Sequence, residues 1–136
     1  MTITLVYFAM FAIVFGALDA VWLKSTNKLY KKYLGHLMRE KPNFIAAIIF
    51  YGIYVLGVTA LAFVPLIDGT SSAVQAIATA AFIAFLCYAT YDLTNLATIK
   101  GWSIRIVVID IIWGTVATAL AAVIAIYTIA MFLGRS

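Results

Sequence analysis

Four apolar segments, each long enough to cross a bilayer as a helix, dominate this chain: about 3–23, 44–64, 73–99 and 104–133. Roughly 30 Å of hydrocarbon takes about 20 helical residues. The segments are too long for barrel strands and do not alternate apolar with polar. They read as helices, whose backbone hydrogen bonds close within each segment. Hydrophobic residues make up 66% and charged residues 10% of the 136. Soluble domains have about 45–50% and about 25%, so water is the wrong solvent for this surface. The expected fold is all-α: one domain, an integral membrane four-helix bundle. The apolar start reads as a retained helix, because it lacks a basic flank and carries Asp19.

The breaks between segments have physical causes. Pro42 ends a basic loop and Asn43 can cap the second span. Pro65 and the run from Asp68 to Ser72 make a polar turn, and Gly101 permits a tight one between spans three and four. Such short turns predict antiparallel neighbours. Lys24, Lys28, Lys31, Lys32, Arg39 and Lys41 follow the first span, and Lys100 and Arg105 bracket the turn after the third, on the same side. Only Arg135 falls opposite. The positive-inside rule then predicts both loops in the cytoplasm and both termini outside, which in a bacterium means a multi-pass inner-membrane protein with periplasmic ends.

Within the loop after span one, Tyr30, Tyr33, Leu34, Leu37 and Met38 recur at helical spacing, with Lys28, Lys31, Lys32 and Arg39 largely on the other side. This predicts a short amphipathic helix on the cytoplasmic leaflet. Those four residues, with Lys100 and Arg105, form a candidate lipid-headgroup surface. No basic folded domain is left over for nucleic acid.

Three acids stand inside apolar segments: Asp19, Asp92 and Asp110. Each costs about 2.5–3.5 kcal/mol at mid-membrane on insertion scales, so each should face the bundle interior or a wet cavity. Counted from Lys24, Lys100 and Arg105 they fall in one layer, about 7 to 12 Å inside the cytoplasmic boundary. Tyr88, Asp92, Asn95 and Ile99 share one stripe of span three; Tyr91, Thr94 and Thr98 share the next. Ala9, Ala12 and Gly16 share a small-residue stripe with Asp19, and Gly114, Thr118, Ala121 and Ala125 do so with Asp110. "DAVW" and "DIIW" put Trp22 and Trp113 on the faces of Asp19 and Asp110, where an indole can shield or donate to a carboxyl. The candidate ligand-binding set is therefore Asp19, Trp22, Tyr88, Tyr91, Asp92, Thr94, Asn95, Asp110 and Trp113. Its structural alternative is a set of buried acids that pair with inward-reaching Lys24, Lys100 or Arg105, or sit protonated and hydrogen-bonded to Thr94, Asn95 and the tyrosines.

A buried carboxyl such as Asp92 can hold or relay a proton, and three together can bind a cation. Metal hydrolysis and covalent catalysis find no support: no histidine lies at depth, and neither Cys87 nor the threonines of span three have a base nearby in sequence. No metal site and no cofactor motif is legible, and enzymatic activity is left open.

"YATYDLTNLATIKGW" and "IDIIWGT", with "LDAVWL", "YKKYLGHLM" and "FYGIYVLG", resemble the blocks of an uncharacterised family of small bacterial four-span membrane proteins, classed only as a domain of unknown function. The resemblance covers nearly the whole chain. It implies an integral membrane protein with no assigned reaction, and it carries over Asp19, Asp92, Thr94, Asn95, Asp110 and Trp113.

Three functions fit these residues. In the first, a membrane lipid or other amphiphile is bound or processed, its head meeting the acids between the tryptophans. In the second, a small proton- or cation-coupled transporter carries its ion on Asp92 or Asp110. In the third, an accessory subunit binds a second copy or another membrane protein through the polar layer. Few polar residues lie in the opposite half, which favours a one-sided site and the lipid reading.

Overall fold

The structure, a computed structural model, describes residues 1–134, so Arg135 lies outside the described residues. Four helices follow in order: α1 Thr2–Leu34, α2 Phe44–Ile67, α3 Ala73–Thr98 and α4 Ile104–Phe132. Each is long and apolar enough to cross a membrane, and no strand occurs among the described residues. The chain is an all-α membrane protein that fits a four-helix bundle.

The helix ends follow local chemistry. Asn43 caps α2, its side-chain oxygen accepting from the Ala46 N–H at 3.2 Å. Ser72 and Gln75 form a reciprocal capping box at the start of α3. Gly101 turns α3 into α4 with φ at 79°, in the left-handed region that favours glycine. A side chain there would also meet the His36 ring, 2.7 Å from the added carbon.

α1 departs from expectation. The separate surface helix between the first two spans is absent: α1 runs unbroken to Leu34, and 35–43 returns to α2 through turns and bends. No glycine or proline interrupts 17–34. Ser25 and Thr26, which can compete for the backbone, instead donate their hydroxyls to the carbonyls of Val21 and Trp22, both at 2.7 Å. The change of polarity at Lys24 alters the solvent a helix prefers, not its hydrogen bonding. Lys28, Lys31 and Lys32 are therefore exposed on the last turns of α1 itself.

α2 widens into a π turn at Thr59–Phe63. Pro65 has no N–H for the Leu61 carbonyl, and its ring crowds that carbonyl in a regular helix. The wider turn, with the Val64 N–H bonded to the Thr59 carbonyl, absorbs the conflict.

The core sits toward the end away from the basic loops. Tyr7, Phe11 and Phe15 recur every fourth residue and form the buried face of α1. Phe63 meets the rings of Tyr7 and Phe11 at 5.2 and 5.5 Å between centroids, and Phe15 meets Tyr54 at 5.2 Å. Ala76, Ala80 and Ala84 of α3 are buried in one cluster with Ala117, Ala121, Ala122 and Ala125 of α4, where small residues permit close helix approach. The expected small-residue stripe of α4 is thus buried. That of α1 is not: Ala9 is exposed, and Ala12 and Gly16 are half-buried. The larger apolar faces of the neighbouring aromatics take the interior instead. Toward the basic end, α2 stands off from its neighbours. Phe44, Ile45, Ile48, Ile49 and Ile53 are all more than half exposed.

Candidate functional site

Where α2 stands off, a cavity of about 410 Å³ opens among the four helices. α1 lines it with Asp19, Trp22, Leu23 and Tyr30, and α4 with Asp110 and Trp113. Ala47, Phe50 and Tyr51 enter from α2, and Cys87, Tyr88 and Tyr91 from α3. No basic side chain lines it.

The two D-x-x-W segments meet here across antiparallel α1 and α4, and neither indole donates to the acid of its own helix. The Trp113 Nε1–H donates to Asp19 Oδ1 at 3.4 Å. The Tyr30 hydroxyl donates to Asp110 Oδ1. The Trp22 Nε1–H donates to the Tyr30 oxygen at 3.3 Å. The two indole rings lie flat together, with centroids 4.2 Å and planes 5° apart. Each acid is thereby tied to an aromatic donor of the opposite helix. A carboxylate accepts about four hydrogen bonds, so one donor apiece leaves both acids with acceptor capacity for a ligand.

Tyr88 closes the floor. Its ring lies directly on Gly114, where an added Cβ would overlap the ring carbons. The close approach of α3 to α4 at this level thus depends on a missing side chain. Below it, the Tyr54 hydroxyl and Thr118 Oγ1 share a hydrogen bond of 2.6 Å, which satisfies two buried polar groups of the core.

The sequence-predicted residues divide. Asp19, Trp22, Tyr88, Tyr91, Asp110 and Trp113 line the cavity. Asp92 does not: it is fully buried beside it, and neither carboxyl oxygen has a hydrogen-bond partner. The nearby donor is the indole N–H of Trp102, itself buried with no hydrogen bond made. Of the three acids, two thus line the cavity together and the third does not. Thr94 is exposed and gives its hydroxyl to the carbonyls of Thr90 and Tyr91, at 2.5 and 3.1 Å, and Asn95 is half-buried outside the cavity lining. Lys28, Lys31, Lys32, Arg39, Lys100 and Arg105 are exposed at the basic end. Arg105 donates to the Tyr33 hydroxyl at 2.8 Å rather than to a buried acid.

Tyr30 belongs to this site, although its sequence context assigns it to a surface helix. The signal was present: Asp19, Trp22, Thr26, Tyr30 and Tyr33 continue one helical stripe at steps of three and four. Among the described residues no three His, Cys, Asp or Glu side chains gather as metal ligands would.

Comparison with known proteins comes to one family. The chain belongs to the family described as "Predicted membrane protein (DUF2177)", whose model matches residues 4–127. No curated protein and no solved structure matches it.

Proposed function

Starting from a predicted membrane protein of the DUF2177 family, we propose that the cavity binds the head of a membrane amphiphile, one that donates hydrogen bonds through an ammonium or hydroxyl groups. The observation that carries this reading is the pairing of Asp19 and Asp110 in one aromatic-walled cavity without a basic residue. Two carboxyls repel a bare phosphate and attract donors. Stacked indoles and tyrosine faces suit an ammonium, by cation–π attraction, or the apolar face of a sugar.

Depth supports a lipid head. Twenty residues of α1 counted from Thr2, and twenty of α4 counted back from Phe132, each span about 30 Å, the thickness of the hydrocarbon. The two counts end near Trp22 and Trp113, the rings that stack. On this reading the acids stand at the edge of the hydrocarbon, where indole and phenol rings are favoured, rather than deep within it. The exposed lysines of α1 and the loops orient that edge toward the cytoplasm, in a bacterial inner membrane. A transporter is less well supported, because Phe11, Phe15, Phe63 and the alanine seam fill the other half of the bundle.

The test offers the purified protein, in mixed vesicles, three lipids with the same acyl chains: phosphatidylethanolamine, a glucosyl diacylglycerol and phosphatidic acid. Native mass spectrometry then reads which lipid stays bound. Ten-fold or greater enrichment of the ethanolamine or sugar lipid over phosphatidic acid is expected, and its loss in Asp19→Asn/Asp110→Asn. Equal retention of all three, or enrichment untouched by the double substitution, overturns the reading.

A further inference from the structure

A second opening lies on the other side of α2's stand-off. It is an apolar groove of about 470 Å³ between α1 and α2, and Ala12, Gly16 and Ala20 face Gly52 across it. Leu23 and Tyr51 line both this groove and the acid-bearing cavity. The two spaces therefore adjoin at one pair of side chains, polar on one side and apolar on the other.

We propose that the groove holds an acyl chain of the amphiphile whose head occupies the cavity, and that Gly16 and Gly52 set the length and bulk of chain it accepts. This rests on the reading of the cavity as a headgroup site.

The glycines carry the argument. Glycine inside a helix costs about 1 kcal/mol relative to alanine. At Gly114 that cost is offset by the ring of Tyr88 packed where a side chain would be. At Gly16 and Gly52 nothing lies within 4 Å of an added Cβ, and neither residue has a positive φ. Neither close packing nor backbone conformation asks for glycine there; the same holds at Gly57, but of the three only Gly16 and Gly52 line the groove. Both residues instead keep the groove wide along its length.

The dimensions favour a chain over a partner helix. A helix is about 10 Å across, and two turns of it fill on the order of 900 Å³. The groove offers about half that, so a helix would rest across its mouth with only side chains inside, whereas an extended chain can lie within it. A polymethylene chain is thin enough to lie in it, and it need only pass Leu23 and Tyr51, which border both spaces, to reach the head.

The experiment uses phosphatidylethanolamine with lauroyl, myristoyl, palmitoyl or oleoyl chains, mixed equally in nanodiscs with wild type, Gly16→Leu, Gly52→Leu or Asp110→Asn. Native mass spectrometry reads chain and head preference separately; phosphatidic acid of the same chains serves as the head reference. The leucine variants stand on different helices, and a circular-dichroism melt confirms folding of each. Each leucine is expected to shorten the preferred chain by about four carbons, the size of the side chain that fills the groove, with head preference intact. Asp110→Asn is expected to lose head preference. An unchanged chain profile in both leucine variants, with head preference kept, sinks the groove and leaves the headgroup site standing. Absence of head preference in wild type sinks both.

Discussion

At one end of the bundle, Ala76, Ala80 and Ala84 are buried with Ala117, Ala121 and Ala122, and Phe11, Phe15 and Phe63 complete a filled interior. At the other, α2 leans away, the acid-bearing cavity opens beside it, and the side chains between α1 and α4 are acids, indoles and a phenol. The same four helices build both ends. The difference lies in side-chain size: small residues and interlocking rings hold the first end shut. Bulky polar residues, which need partners and room, hold the second open. A membrane supplies little drive to close such gaps, because lipid tails are as apolar as the side chains they touch. Packing quality therefore decides which end is rigid.

Truncating the closed end should have the largest effect. Phe63 is fully buried and touches two rings of α1. Phe63→Ala is expected to cost about 3 kcal/mol, read as a large drop in the thermal midpoint in detergent. A midpoint within a degree or two of wild type would show that the aromatic pile is not what holds α2 to α1. Overpacking comes next. Ala80→Leu in the α3–α4 seam should cost about 2 kcal/mol, whereas the same leucine at Gly16 should leave the midpoint nearly unchanged, since its Cβ meets nothing. Equal losses at the two positions would erase the distinction between a filled seam and an open groove.

Much of this fold was legible because membranes restrict backbone choices. Four spans, the Asn43 cap, the polar turn at 68–72 and the Gly101 reversal all follow from length, capping chemistry and φ > 0. Two features were not legible, for different reasons. The end of α1 is not legible in the charge pattern, because charge marks the onset of water and does not by itself break a helix's hydrogen bonding. The place of Tyr30 in the cavity follows from that continuation of α1 and is hidden with it. The faces of the acids were only partly legible, because depth counted along a helix fixes height but not azimuth. Asp19 and Asp110 turn toward the same cavity, while Asp92 turns to Trp102.

Tyr30→Phe sharpens the comparison within the open end. It removes the hydroxyl that donates to Asp110 and accepts from Trp22, and keeps the ring. Leaving the acid without its donor should cost about 1–2 kcal/mol. The indole stack should loosen, seen as a shifted tryptophan emission maximum. Unchanged emission together with unchanged stability would mean that the stack is held by ring contact alone.

Asp92→Asn should have the smallest effect, and it tests the division of the acids most directly. Sequence reasoning places Asp92 in one layer with Asp19 and Asp110, able to hold or relay a proton and, like Asp110, to carry a coupling ion. Its carboxyl is instead enclosed, outside the cavity lining, with no hydrogen bond to either oxygen. Asparagine keeps the size of the side chain and forfeits no hydrogen bond that the carboxyl makes. It also supplies N–H donors that then need partners of their own. The two effects oppose each other, so the change in stability should stay within about 1 kcal/mol, and head preference in the lipid assay should match wild type. Asp110→Asn, with its acid facing the cavity, should lose that preference. If Asp92→Asn abolishes lipid selection and Asp110→Asn does not, the working acid is the enclosed one. The aromatic cavity would then be scaffold, and proton or cation coupling through Asp92 would become the better account of the open end.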